Sequence, residues 1–377
     1  MTVTTSTLYE GCPGTGSQLS IIKHTFTGTD PSRGIYIQAG LHADEHPGLL
    51  VIQHLLQALS AAEREGRIKG RITIVPYANP TGMLQNVLGF WTGRFNLANG
   101  ENFNRNFPNT AEALKALSED DAWKGAQASA LMAQALKDVP YEDVVSASKR
   151  ALLREAVSHD VVLDLHCDTA GILHLYTNKR YAGRATELAA ALGIEVVLLE
   201  EFAGGGSFDE ACTLGWQWLA EQGRVPASRI PFTVSIELRG QADVNDELAA
   251  ADARHIIHYL QKEGYIEGGD RPQDAVSREQ VQTFPLEGTV HVPAPAAGLT
   301  VWKKRPGEWV AAGECIGEIV LMNSGVDGQR VPVMSPVAGR ILVQPLMCMV
   351  KTGQRVALIA GTEPQHDRKK GSLLLNF

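Results

Sequence analysis

The chain has 377 residues, 44% hydrophobic and 20% charged, which is ordinary for a globular protein with one large domain and a smaller one. Its formal net charge of -8 disfavours a polyanion-binding role, because nucleic-acid binding depends on clustered lysines and arginines that displace counterions. No apolar run approaches the roughly 20 residues that a membrane-spanning helix requires, so no membrane partner is expected.

The termini and the cysteines indicate the cellular compartment. The N-terminal segment MTVTTSTLYEGCPG lacks the charged and apolar regions of a secretory signal. Three basic residues lie near the C-terminus, and we interpret them as a solvated chain end and not as a binding patch: Arg368, Lys369 and Lys370. The five cysteines are scattered without a Cys-x-x-Cys pair (Cys12, Cys167, Cys212, Cys315 and Cys348). These features predict a cytoplasmic protein with reduced thiols.

The first part of the chain alternates between strand and helix patterns. The apolar run GIYIQAG (34–40) is typical of a buried strand, and an amphipathic helix pattern, LLVIQHLLQALSAAEREGR, follows it. Further strand patterns are RITIVPYANP (71–80), VVLDLHCD (161–168), IEVVLLE and FTVSIELRG (232–240), and a helix pattern comes after the last. This order predicts an α/β fold whose mixed, mostly parallel sheet is flanked by helices.

Two other regions differ from this pattern. Residues 110–158 are rich in Ala, Leu, Asp and Lys and predict a helical insertion. The composition changes near Arg271-Pro272, and from about Phe284 onward Val, Gly and Pro with frequent turns predict an all-β region. Two similar segments, 295–320 and 336–360, suggest a small barrel-sandwich with pseudo-twofold symmetry. We therefore expect a catalytic domain over 1–283 and a β domain over 284–377.

Three residues at predicted strand ends form a candidate metal site. His42 and Glu45 follow the first buried strand, and His166 lies at the end of VVLDL. Two imidazoles and one carboxylate are the ligand set of a catalytic zinc ion that leaves one position open for water. Asp164 or Asp168 could orient a ligating imidazole. The structural alternatives are a solvated surface turn for the first pair and a satisfied core histidine for His166.

Two further features could supply the remaining catalytic groups. Glu237 lies inside an otherwise apolar strand, where a carboxylate is costly unless it is paired or functional, and it could act as a general base. The alternative is an ion pair with Arg239 or another arginine. The loop GRFNLANGENFNRNFPNT holds Arg94, which could polarise a carbonyl, and Asn104-Arg105, which could clamp a carboxylate. For the neighbouring Asn102, Asn106 and Asn109 we expect a loop-stabilising role.

The motifs GLHADEHPG, NRNFP, LDLHCD and SIELRG, in this order over residues 40–240, resemble the zinc carboxypeptidase-like superfamily. The closer resemblance is to its succinylglutamate desuccinylase/aspartoacylase branch, whose members also carry a β domain after the catalytic one. The resemblance implies one Zn²⁺ per chain, held by His42, Glu45 and His166. It also implies that Glu237 is the general base.

The same resemblance assigns the substrate contacts. Asn104 and Arg105 would hold a substrate carboxylate, and Arg94 would polarise the scissile carbonyl. The implied reaction is hydrolysis of the amide bond of a small N-acyl amino acid. The family often has Asp at the position of Asn102. The asparagine in this chain lacks the negative charge that could brace the arginine, and we expect this difference to affect which substrate is cleaved.

Other functions are compatible with parts of the sequence. A zinc metallocarboxypeptidase acting on peptides would use the same site. The β region also resembles biotinyl and lipoyl carrier domains, but its turns, such as IVLMNSGVDG, offer no lysine for modification. A scaffold without activity is disfavoured by the full set of ligands and Glu237. A homo-oligomer is compatible with the sequence, which does not determine the oligomeric state.

Overall fold

The computed structural model of the protein describes residues 2–117, 127–202, 204–269, 272, 275–326 and 328–365. The basic residues 368–370, Arg271 and residues 118–126 of the predicted helical insertion lie outside the described residues.

The described residues up to 285 contribute twelve strands and eight α-helices. The strands are β1 (Thr2–Gly11), β2 (Leu19–Thr27), β3 (Gly34–Ala39), β4 (Arg71–Val75), β5 (Asn86–Val87), β6 (Phe90–Trp91), β7 (Val161–Asp168), β8 (Ala170–Gly171), β9 (His174–Asn178), β10 (Val196–Glu200), β11 (Phe232–Gly240) and β12 (Gln282–Pro285). The helices are α1 (Pro47–Arg64), α2 (Pro80–Met83), α3 (Thr110–Ala116), α4 (Ala128–Asp138), α5 (Val144–Ala156), α6 (Ala182–Ala191), α7 (Phe208–Glu221) and α8 (Asp246–Lys262).

Nine of these strands form one sheet in the order β1-β2-β4-β3-β7-β11-β9-β10-β12. Five of its eight strand pairs are parallel, including the central run from β4 through β3 and β7 to β11. The structure confirms the expected large, mostly parallel sheet flanked by helices. The sequence reading missed the antiparallel hairpin of β1 and β2 that extends one edge.

Alternating strand residues divide the core between the two faces of this sheet. Ile35, Ile37 and Val161 pack in a cluster with α1, α6 and α8. Tyr36 and Val162 point to the opposite face and pack in a cluster with α3, α4, α5 and α7. This division follows from the period of two along a strand, and it explains why both faces are covered.

The remaining strands form two smaller antiparallel sheets. They are β13 (Thr289–Pro293), β14 (Gly298–Trp302), β15 (Trp309–Val310), β16 (Cys315–Leu321), β17 (Gln329–Met334), β18 (Gly339–Gln344), β19 (Met349–Val350) and β20 (Arg355–Gly361). The two similar segments exchange strands, since β14 pairs with β19 while β18 pairs with β15. This β-rich C-terminal region is the one expected from the sequence.

The C-terminal sheets pack directly against the large sheet. The short strand β8, which follows β7, pairs with β18. Buried apolar residues of both regions, among them Leu198, Phe284 and Leu358, form one shared cluster. Because this contact lies immediately after the end of β7, the C-terminal sheets border the carboxyl edge of the large sheet.

Candidate active site

The predicted metal residues meet at the carboxyl edge of the large sheet. His42 follows the end of β3, and Glu45 precedes α1, which begins with Pro47 in its first turn. His166 lies in β7, opposite Glu237 of the neighbouring parallel strand β11. The carboxyl ends of parallel strands are where ligands gather in open α/β sheets, so this placement follows from the topology.

His42, Glu45 and His166 form a buried cluster whose ligand atoms all lie within 4.8 Å of one another. Glu45 Oε1 lies 2.9 Å from Nδ1 of His42, and Glu45 Oε2 lies 2.8 Å from Nδ1 of His166. The exposed fraction of each residue is at most 4%. The three side chains therefore direct two imidazole nitrogens and a carboxylate at one another, and they could hold a metal ion.

The outer nitrogen of each histidine has its own partner. Nε2 of His166 lies 2.9 Å from Asp164, whose other oxygen accepts a hydrogen bond from Gln38. Nε2 of His42 lies 2.9 Å from Oδ1 of Asn102. Such partners fix the orientation of a ligating imidazole. Asn102 thus does more than stabilise its loop, and its position beside His42 was not foreseen.

The charges of this cluster favour a bound cation. Burial opposes ionisation of Glu45, but His42 and His166 outweigh it and lower the pKa of Glu45. Burial likewise lowers the pKa of His166, but Asp164 and Glu45 outweigh it and raise that pKa well above its usual value. The negative charge of Glu45 thus favours a positive charge beside it, which a bound metal cation could supply.

Glu237 is a buried carboxylate beside His42, Glu45 and His166. Its Oε2 is buried and has no hydrogen-bond partner among the described residues. Burial and the nearby charge of Glu45 raise its pKa to about 8. The alternative was an ion pair between Glu237 and Arg239, but Arg239 pairs with Asp252 on α8 instead. A carboxylate beside the metal cluster with an unused oxygen can accept and release a proton.

Arg94 lies next to the metal cluster because its loop packs tightly against the His42 loop. The backbone of Gly93 accepts a hydrogen bond from Ala43, and a Cβ on Gly93 would come within 2.4 Å of the amide nitrogen of Asp44. This close approach requires glycine. Nη1 of Arg94 lies 3.0 Å from Glu45 and 3.3 Å from Nδ1 of His42.

Asn104 and Arg105 line one cavity together with His42, Arg94, His166 and Glu237. Oδ1 of Asn104 accepts a hydrogen bond from the backbone of Phe208, which fixes the loop to the start of α7. Lys149 of α5, which is buried, donates to the carbonyl oxygen of Arg105 and to Glu101. Asn109, which was expected to stabilise this loop, caps the N-terminus of α3.

The structure adds residues to the cavity that the sequence reading missed. They come from β9, β10, the start of α7 and the C-terminal sheets, and they include Tyr176, Glu200, Asp209, His291 and Arg355. Arg355 of β20 pairs with Asp168 at 2.5 Å. One signal was available, since Glu200 ends an apolar strand and His166 and Glu237 lie near the ends of theirs. The residues of the C-terminal sheets carried no comparable signal.

Comparison with known families decides the classification of this chain. Residues 31–262 match the model of the succinylglutamate desuccinylase/aspartoacylase catalytic domain, which is more than half of the chain. The chain belongs to this family. It is accordingly an enzyme of a family of deacylases that hydrolyse amides of small acyl amino acids.

Solved structures extend the likeness to nearly the whole chain. A succinylglutamate desuccinylase/aspartoacylase family protein from Shewanella frigidimarina is 25% identical, with a TM-score of 0.77 over 96% of this chain and 97% of that one. One from Shewanella amazonensis is 23% identical, with a TM-score of 0.75 over 96% and 98%. The product-bound ectoine utilization protein EutE (DoeB) from Ruegeria pomeroyi is 16% identical, with a TM-score of 0.67 over 96% and 95%. The likeness to the last two structures shows only that this chain shares their fold.

A comparison with functionally curated proteins finds no match. Within the part of the chain that the structure describes, no helix has the length and apolar character needed to cross a membrane.

Proposed function

We propose that this protein is a zinc-dependent deacylase that hydrolyses the amide bond of a small N-acyl amino acid. One Zn²⁺ per chain would be held by His42, Glu45 and His166. The observation that carries this proposal is the convergence of three buried ligand atoms beside Glu237, whose buried Oε2 has no partner among the described residues.

The donor atoms favour zinc. Two histidines and one glutamate form the ligand set of catalytic zinc in several hydrolases, and an open position remains for water or substrate. A zinc ion bound there would supply a Lewis acid that activates water and polarises a carbonyl. The outer partners Asn102 and Asp164 keep both imidazoles in the orientation that such binding needs.

Glu237 would carry the proton through the reaction. It takes a proton from the water whose oxygen attacks the carbonyl carbon, and it returns a proton to the nitrogen as the C–N bond breaks. The products are a carboxylic acid and an amine.

The arginines and Asn104 would position the substrate. Arg94 contacts Glu45 and His42, and a cation bound at the cluster would replace this contact and leave the guanidinium to stabilise the negative charge that develops on the carbonyl oxygen. Arg105 would bind the substrate carboxylate through its planar guanidinium, with Asn104 beside it.

Several finer assignments belong to the same proposal. We regard residues 1–283 as the catalytic domain with a carboxypeptidase-like fold and residues 284–377 as a barrel-sandwich domain, in a cytoplasmic enzyme. The C-terminal sheets contribute residues to the cavity wall, such as His291 and Arg355. A wall of this kind narrows the access to the site and favours small N-acyl amino acids over peptides.

Metal analysis and a substrate screen test the proposal. Purified, unchelated protein should contain about one equivalent of zinc per chain, and it should hydrolyse some N-acetyl or N-succinyl amino acids faster than dipeptides. The variant Glu237→Gln should keep its zinc and lose turnover by about 10²-fold to 10⁴-fold. Full activity of Glu237→Gln would refute the assignment of the base, and preferential cleavage of dipeptides would identify a carboxypeptidase.

A further inference from the structure

Glu200 is a buried acid in the cavity that the proposed reaction does not use. It is the last residue of β10, at the same edge of the sheet as the metal cluster, and its side chain lines the cavity while the residue is only 7% exposed. The structure gives its carboxyl group no hydrogen bond or ion pair with any described residue. The adjacent Glu201, by contrast, pairs with Lys179. A buried carboxylate without a partner is costly, so an external partner is expected.

The arginines of the cavity do not supply that partner. Arg94 is paired with Glu45, and Arg355 is paired with Asp168. The charge of Arg105 acts on Glu200, but the negative charges of Asp209 and Glu210 act on Arg105 as well. The wall around Arg105 therefore carries more carboxylates than arginines.

A substrate carboxylate would increase this imbalance. Once Arg105 binds the carboxylate of an N-acyl amino acid, its charge is used by the substrate and the acids around it are left less compensated. Asp209 lies in the first turn of α7, where a negative charge is favourable, and it accepts a hydrogen bond from Ser207. Glu200 has neither of these, and the positive charge that acts on it is that of Arg105, which the substrate carboxylate would occupy. Glu200 is therefore the residue that a positive charge on the substrate would satisfy.

We propose that Glu200 is a specificity-determining residue that binds a cationic group on the amino-acid half of the substrate. This inference rests on the proposed function and names its substrate class. The preferred substrates are then N-acyl derivatives of basic amino acids, which present a carboxylate to Arg105 and an ammonium group to Glu200.

The charges around Glu200 agree with this role. Burial raises the pKa of Glu200 well above its usual value, and Asp209, Glu210 and Glu287 add to the effect while Arg105 opposes it. A positive charge on the substrate would offset the repulsion between Glu200 and these acids. A neutral Glu200 that donates a hydrogen bond to an acidic substrate is the competing interpretation, and the experiment separates the two.

The experiment uses the full-length zinc-loaded enzyme and substrates that differ in one terminal group. The α-N-acetyl and α-N-succinyl derivatives of L-ornithine, L-norleucine and L-glutamate present a cation, a methyl group and an anion. Derivatives of 2,4-diaminobutyrate and lysine vary the length of the cationic chain. We expect kcat/KM for the best cationic substrate to exceed that for the norleucine derivative by about tenfold or more.

Variants test whether Glu200 causes the preference for a cationic substrate. Glu200→Gln keeps the shape and the hydrogen-bonding capacity but loses the charge, and it should abolish the preference for the cationic substrate. Glu201→Gln is the matched control and should leave the preference and the rate unchanged. Inhibition of the wild-type enzyme by free basic amino acids, compared with norleucine, measures the same selectivity without any variant.

The outcomes separate this inference from the proposed function. Hydrolysis of the glutamate or norleucine derivatives in preference to all the cationic ones overturns the role of Glu200 and leaves the deacylase intact. A cationic preference that persists in Glu200→Gln also overturns it. If no N-acyl amino acid of any charge is hydrolysed by zinc-loaded enzyme, the proposed function itself fails.

Discussion

The two ends of the cavity, the metal end at His42, Glu45 and His166 and the far end at Arg105 and Glu200, differ in how their charged groups are paired. At the metal end, the three candidate ligands are surrounded by partners inside the protein: Glu45 contacts both histidines, and Asn102 and Asp164 hold the outer nitrogens of the two imidazoles. At the far end, Arg105 is surrounded by an excess of acids, and Glu200 has no hydrogen bond among the described residues.

This difference indicates which end is pre-organised and which awaits a ligand. A satisfied network fixes the positions of its side chains before anything binds. An unbalanced set of buried charges is tolerated where a ligand completes it, and it then selects ligands of the complementary charge. The metal end should therefore determine whether the chemistry occurs, and the far end should determine which amide is cut.

The largest effect is expected from removing a ligand at the metal end. His166→Ala leaves two of the three candidate ligands and frees Asp164 from its imidazole partner, so the protein should lose both bound zinc and measurable turnover. Metal content by mass spectrometry and the hydrolysis rate test this together. The surface variant His54→Ala, which loses only a contact with Asp246, is the control and should keep both. Zinc retained at one equivalent in His166→Ala would contradict the ligand assignment.

The next effect concerns the far end. Arg105→Met removes the proposed carboxylate anchor without touching the metal cluster, and it should lower kcat/KM by about a hundredfold, from roughly 3 kcal/mol of lost charge-assisted hydrogen bonding. The loss should appear mainly in KM, and the zinc content should not change. Arg330→Met, which breaks an exposed pair with Glu318, is the matched control. A purely kcat effect would show that Arg105 acts in the transition state instead.

The contrast between the two ends also explains what the sequence could reveal. His42 and Glu45 are close in sequence, and His166 and Glu237 each lie near the end of an apolar strand. The order of strands and helices then brings these ends to one edge of the sheet, so both the sheet and the metal candidates could be predicted.

The far end could not be predicted in the same way. Its wall combines residues from β10, the start of α7 and the C-terminal sheets, and contacts between such distant segments have no periodic or local signature. The position of Arg355 beside Asp168 depends on how β20 docks near the end of β7. The hairpin of β1 and β2 was missed for a related reason, since β1 is largely exposed and lacks a clear apolar pattern.

A smaller change would sharpen the comparison within the metal end. His42 is held by the neutral amide of Asn102, whereas His166 is held by the carboxylate of Asp164. Asn102→Asp would give both histidines a carboxylate partner and raise the basicity of His42, so zinc should dissociate about tenfold more slowly. Transfer of zinc to a chelator measures this rate. Asn109→Asp, at the start of α3 where aspartate caps equally well, should leave the rate unchanged. Faster release from Asn102→Asp would show that a charged partner disturbs the site.

The smallest effect concerns the wall contributed by the C-terminal sheets. Burial raises the pKa of Asp168, but Arg355 and Arg94 outweigh it and lower that pKa. A lowered pKa means that the ion pair stabilises the fold above the usual pKa of an aspartate, about 4, and that this contribution disappears as the pH falls through the lowered value. Arg355→Met should thus cost about 1–3 kcal/mol in the free energy of unfolding near pH 7.

The pH dependence of that cost distinguishes the buried pair from an ordinary surface contact. Unfolding of metal-free wild-type and Arg355→Met protein, followed by denaturant titration from neutral to acidic pH, should show the difference shrinking below about pH 4. Arg340→Met removes a comparable contact between the C-terminal sheets and Glu195, but that carboxylate is largely solvent-exposed, so its effect should be smaller. If both variants lose equal stability, or if the loss in Arg355→Met persists unchanged in acid, Asp168 is not held ionised by Arg355. The far wall would then owe its position to the shared apolar cluster instead of this ion pair.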